Sequence, residues 1–108
     1  MTDHAPDASL EERAIATLKT VYDPEIPVNI YELGLIYALE VDEAEGRIQV
    51  DMTLTAPGCP VAQTFPGEIE ARLREMDGVE EVSVRLVWDP PWTQDRMTEA
   101  ARLQLGLL

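Results

Sequence analysis

Apolar residues recur at helical spacing at Leu10, Ala14, Ile15, Leu18 and Val21. Ser9 followed by Glu12 forms a capping box, each side chain able to take a free backbone donor at the helix start. The pattern predicts a loose tail over residues 1–8 and a helix over 10–21, stopped by Asp23-Pro24, because the residue before proline avoids the α region. Residues 23–34 hold two prolines three apart, which exclude both a continuing helix and a central strand. Asn29 is placed to cap a short turn through Tyr31 and Glu32, ended by Gly34. Residues 35–41 read as a strand, residues 42–46 as a turn. Residues 47–55 alternate, with Ile48, Val50, Met52 and Leu54 facing one way and Arg47, Gln49, Asp51, Thr53 and Thr55 the other. A helix over 60–76 follows, with a kink or restart at Pro66-Gly67. A third strand covers 79–88, Asp89-Pro90-Pro91-Trp92 makes a rigid turn, and Thr93 is placed to cap a last helix carrying Met97, Ala100, Ala101 and Leu103. The apolar end from Leu105 reads as uncapped.

The order is α-β-β-α-β-α over residues 9–108, read as one domain. The first two strands form an antiparallel hairpin, and the βαβ step joins parallel strands by a right-handed crossover. The expected class is α/β (α+β), a small three-stranded mixed sheet with helices packed on it. Ligands favour the carboxyl edge of such a sheet. The loop leaving the second strand lies there, and the loop over 23–34 precedes the first strand closely enough to fold over the same edge.

Composition narrows the function. Twenty-one acidic residues against eight Lys and Arg give a formal net charge of −13. Phosphate backbones need clustered cations, so nucleic acid is excluded, and an anionic membrane surface is disfavoured. The one cysteine closes no internal disulfide. No basic segment followed by an apolar one opens the chain, so no signal peptide is expected, and the expected compartment is the cytoplasm.

That cysteine, Cys59, carries the candidate chemistry. It follows the turn Ala56-Pro57-Gly58, and Pro60 suits the first position of a helix. A thiol at a helix N-terminus has its thiolate favoured by the dipole. Against this, a free cysteine is more often a small buried hydrophobe. Thr55 stands four residues before Cys59, and Thr53 shares its face of the strand. Asp23 or Glu25 offers a base or a hard ligand; each residue taken singly also reads as a strand threonine, a cap or a solvated acid. No Cys-x-x-Cys pair, no P-loop and no histidine outside the opening tail accompany them. Trp88 and Trp92 either pack on the sheet edge or form an aromatic patch for a protein partner.

Three motifs in order then bring a family into view: 23–26 with 32–37, 52–60, and 87–92. Together they resemble the SufT-like family of iron–sulfur cluster maturation proteins, shared with PaaD and the targeting subunit of the cytosolic iron–sulfur assembly machinery. The resemblance runs over nearly all of residues 10–108 and fits the SufT branch best. It implies an α/β domain with Cys59 as the reactive cysteine, and Asp23, Glu25, Thr53 and Thr55 gathered near it. It implies an accessory role in assembling or delivering iron–sulfur clusters, with iron–sulfur assembly proteins and recipient apoproteins as partners. Cys59 would then be a transient ligand to iron or a cluster, with no stably bound cofactor and no metabolite turnover. A two-fold homodimer would bring two thiols together. The alternative is a thiol-dependent enzyme with Cys59 as nucleophile and Asp23 or Glu25 as base.

Overall fold

Helix α1 (Leu10–Leu18) starts at the capping box. In the computed structural model, which describes residues 9–23, 26–55 and 65–107, the Ser9 hydroxyl accepts the Glu12 N–H at 3.0 Å and the Glu12 carboxylate accepts the Ser9 N–H at 3.1 Å. A second carboxylate, Glu43, accepts the N–H groups of Leu10 and Glu11. Negative charge at this end complements the helix dipole. The helix stops at Leu18, three residues short of the expected Val21. Val21 is recruited elsewhere: its carbonyl accepts the Ile30 N–H at 2.8 Å, and Tyr22 bridges Asn29. Here tertiary pairing overrides helical periodicity.

Strands β1 (Ile36–Asp42) and β2 (Arg47–Met52) pair antiparallel, and β2 pairs parallel with β3 (Glu81–Leu86), giving the order β1-β2-β3. Helix α2 (Phe65–Arg74) makes the crossover. Pro66 falls in its first turn, where a missing N–H costs nothing. The start expected at Pro60, like Cys59, Glu25 and the tail over 1–8, lies outside the described residues. Both expected strand pairings are present in the expected order. Strand β2 ends at Met52 rather than Thr55, because the Thr53 N–H turns to the Leu35 carbonyl at 2.9 Å. Strand β3 likewise ends two residues early, at Leu86.

Helices α1 and α2 bury Leu10, Ala14, Leu18, Phe65, Ile69 and Leu73 against Ile48, Val50, Met52 and Val82 of the sheet. At about 1.5–3 kcal/mol for each fully buried large aliphatic side chain, this face is the main source of stability. Among the described residues no helix is long and apolar enough to cross a membrane.

The C-terminal part departs from expectation. Thr93 makes no side-chain cap, and residues Gln94–Arg96 form one 3₁₀ turn. Met97 then extends and buries itself in the core, and helix α3 (Glu99–Gln104) starts afresh with Thr98 as its cap. The Thr98 hydroxyl accepts the Ala101 N–H at 3.1 Å and donates to the Glu32 carboxylate, while the Thr98 N–H donates to the Glu32 carbonyl. The end is also capped, contrary to the sequence reading. Gly106 takes a φ of 76°, its N–H donates to Leu103, and the Leu107 N–H donates to Arg102. This is a Schellman motif, which uses glycine to turn the last carbonyls onto the chain's own donors.

Candidate functional site

The carboxyl ends of β2 and β3 and the start of β1 meet at one end of the sheet. Backbone bonds lace the loop over 26–34 to this end. The Ile30 N–H donates to Val21, the Leu35 N–H to Ile30, and the Thr53 N–H to Leu35. The short turn expected here is present: the Asn29 side chain accepts the Glu32 N–H at 2.9 Å, and Gly34 closes the turn at φ 81°. Gly34 is required twice over, because a Cβ there would also run into the Arg96 carbonyl.

Asp23 enters this loop buried, its carboxylate accepting the Ile26 N–H at 2.8 Å. That is an Asx-type turn, which fixes the carboxylate close to the backbone.

After β3 the chain crosses this end as a strap over residues 88–96. The Val87 N–H donates to Met52 at 2.8 Å. The peptide bond between Asp89 and Pro90 is cis. The Tyr37 hydroxyl, on β1, donates to the Pro90 carbonyl at 2.7 Å, and the Trp92 indole N–H donates to the Leu33 carbonyl at 2.7 Å. The Arg96 guanidinium lies over the Tyr37 ring, 4.4 Å from its centroid, a favourable cation–π placement. Sequence reading singled out the two tryptophans and placed Gly34 at the end of its turn, but missed the hydrogen bond of Tyr37 and the cation–π contact of Arg96 that fix the strap. Their partners lie more than fifty residues away along the chain, beyond any local pattern.

Beneath the strap is a cavity of about 270 Å³ lined by Thr53, Leu54, Thr55, Trp88, Pro91 and Trp92. Thr53 and Thr55 are therefore brought together, as expected. Their setting is different from the exposed polar face that alternation implied. Thr53 is wholly buried, and its hydroxyl has no hydrogen-bond partner among the described residues. Burial is a consequence of the strap closing over the sheet end where Met52, on the other face, meets the core. An orphaned buried hydroxyl costs about 1–3 kcal/mol and departs from the rule that buried polar groups are paired. Asp23 is not among the residues that line the cavity. Cys59 and Glu25 lie outside the described residues, and the chain runs to Cys59 four residues after Thr55.

Charge adds little to the site itself. Asp51, on the open face of β2, has a carboxyl with a displaced pKa. Hydrogen bonds from Arg85 at 3.1 and 2.8 Å, helped by its positive charge, hold it below the ordinary carboxylate range and outweigh the opposing effect of burial. Among the described residues no group of three or more His, Cys, Asp or Glu is arranged to hold a metal ion.

Comparison with known proteins points one way. A family model described as iron–sulfur cluster assembly protein matches residues 11–84. The chain is 47% identical over 98 residues to an Fe-S protein maturation auxiliary factor of Porphyromonas gingivalis, covering 91% of this chain and 92% of the relative. It is 39% identical to the Fe-S protein maturation auxiliary factor YitW of Bacillus subtilis, covering 94% and 98%. In structure it resembles a crystallised domain of unknown function from Bacillus anthracis, with a TM-score of 0.81 at 36% identity, covering 92% of this chain and 93% of the other.

Proposed function

The chain belongs to the iron–sulfur cluster assembly protein family, and from that premise we propose that it is an accessory factor in iron–sulfur protein maturation. It assists the assembly or delivery of clusters to recipient proteins and does not turn over a metabolite. The observation that carries this reading is its likeness, over nine-tenths of its length, to two proteins named as Fe-S protein maturation auxiliary factors.

Cys59 is the working thiol in this reading. A thiolate is a soft ligand that favours iron–sulfur species over hard cations. Iron or a cluster is cargo, held in passing, since one thiolate cannot fill the four positions a cluster normally takes. The Thr55 hydroxyl lies at the strand end that leads into Cys59, where it is available to hydrogen-bond a sulfur or an oxygen of the cargo. Asp23 and Glu25 supply negative charge or hard-ligand capacity to iron. The partners are iron–sulfur assembly proteins and recipient apoproteins, and the compartment is the cytoplasm.

A cellular test follows. In a host lacking the gene and grown under iron limitation, the activity of iron–sulfur enzymes is expected to fall and to recover with the native chain. Recovery without the native chain's help, or no loss to begin with, contradicts the reading.

A further inference from the structure

The strap cavity has features that the cluster-handling reading leaves unused. Two tryptophans, a proline and a leucine wall a space of about 270 Å³ with no charged residue in its lining among the described residues. Thr53 lines it while keeping a buried hydroxyl with no partner among the described residues. Trp92 spends its indole N–H on the Leu33 carbonyl, so it offers the cavity an aromatic surface and no donor. Trp88 is 41% exposed, a large aromatic left partly open at the mouth. Its neighbour Asp89 is exposed, Asp95 lies further along the same strap, and the strap's one cation, Arg96, is committed to Tyr37. The chain as a whole carries a net charge of −13.

We propose that this cavity receives an arginine side chain from a basic segment of a partner protein. Three properties select that occupant. Indole faces attract a cation, and a planar guanidinium stacks on them. A guanidinium carries five N–H donors and can supply the Thr53 hydroxyl with the bond it lacks. Acidic strap residues and the excess acid of the chain steer a basic segment to the mouth. An aliphatic side chain satisfies only the first requirement of the walls, namely burial, and leaves the hydroxyl orphaned. An acidic segment is repelled. The pocket is small beside sites for whole small molecules, which run to roughly 300–1,000 Å³, and suits a single anchoring side chain. Tyr37 and Arg96 act as positioning residues, holding the strap open over the site before the partner arrives. The proposal is independent of what Cys59 carries.

The chain's two tryptophans give two indole N–H signals, a direct reporter. The intact ¹⁵N-labelled protein is titrated with N-acetyl-arginine amide, with the citrulline amide as its uncharged isostere and with leucine amide. Arginine amide is expected to shift the indole signals saturably, with citrulline and leucine amides about tenfold weaker, the scale of a desolvated cation–π contact. Trp88→Leu, at a partly exposed position, is expected to abolish the shift. Thr53→Val, which keeps the volume, is expected to weaken binding at least about threefold by removing one hydrogen bond. Equal response to citrulline or leucine amide, no response to arginine amide, or shifts spread over the acidic surface that survive both substitutions would overturn the proposal.

Discussion

Thr53 is the residue at which stability and function part company. Its hydroxyl is buried and orphaned in the free protein. Thr53→Val is therefore expected to raise stability by about 1 kcal/mol, because the variant buries no unpaired polar atom, read as a higher urea midpoint. A loss of stability instead would mean that the hydroxyl already has a partner. Gly34 sits at the opposite extreme. Gly34→Ala would place a side chain at positive φ and against the Arg96 carbonyl, and is expected to cost about 2 kcal/mol or more. An unchanged midpoint would show that the strap is not packed on this turn. Asp51 makes a pH-dependent contribution. Arg85 lowers its folded pKa, so the unfolded chain takes up a proton first as pH falls. The stabilisation is complete above the unfolded value of about 3.9 and fades as pH drops through the lower folded value. Arg85→Gln should lower the urea midpoint slightly at neutral pH, the gap closing in strong acid. A gap that persists there would mean the guanidinium acts by packing rather than by charge.

Helix α3 shows what element boundaries depend on. Its cap is Thr98 and not the equally suitable Thr93. The sequence reading places the cap at Thr93. The choice is made by Glu32, 66 positions back in sequence but adjacent in space, whose backbone and carboxylate both engage Thr98, and by Met97, which must reach the core. Thr98→Ala is expected to cost about 1 kcal/mol and Thr93→Ala little, by thermal unfolding; the reverse order would refute the cap. The same logic separates what could be read from the chain. Capping box, hairpin and the Asn29 turn were legible because each is specified by residues a few positions apart, and the parallel crossover because a strand–helix–strand order restricts the topologies available. The early end of α1, the burial of Thr53 and the anchoring of Trp92 were not, because each depends on a distant backbone group: Ile30, the strap, and Leu33. Thr53 and Thr55 both line the cavity, but from beyond the end of β2 at Met52 rather than from a shared strand face.

At the scale of the molecule, the fold presents one sheet end bounded by the 26–34 loop, two threonines and an aromatic strap, in a chain with a large excess of acid. Helices stabilise the opposite face of the sheet, so the functional end is free to carry an orphaned hydroxyl and a half-open tryptophan without drawing on the main core. Relatives from distant bacteria match nearly the whole length, which places the shared role in this small domain as a unit. The strap and the Cys59 segment would then divide the work, one recognising a partner and the other handling cargo. The central claim is that the Cys59 thiol handles the cluster. The most direct measurement is anaerobic cluster transfer from a loaded assembly protein to a recipient apoprotein, followed by recovery of recipient activity, with the native chain and with Cys59→Ser. The native chain is expected to accelerate transfer and the variant, folded by circular dichroism, to leave it at the unassisted rate. Equal acceleration by both would contradict the account.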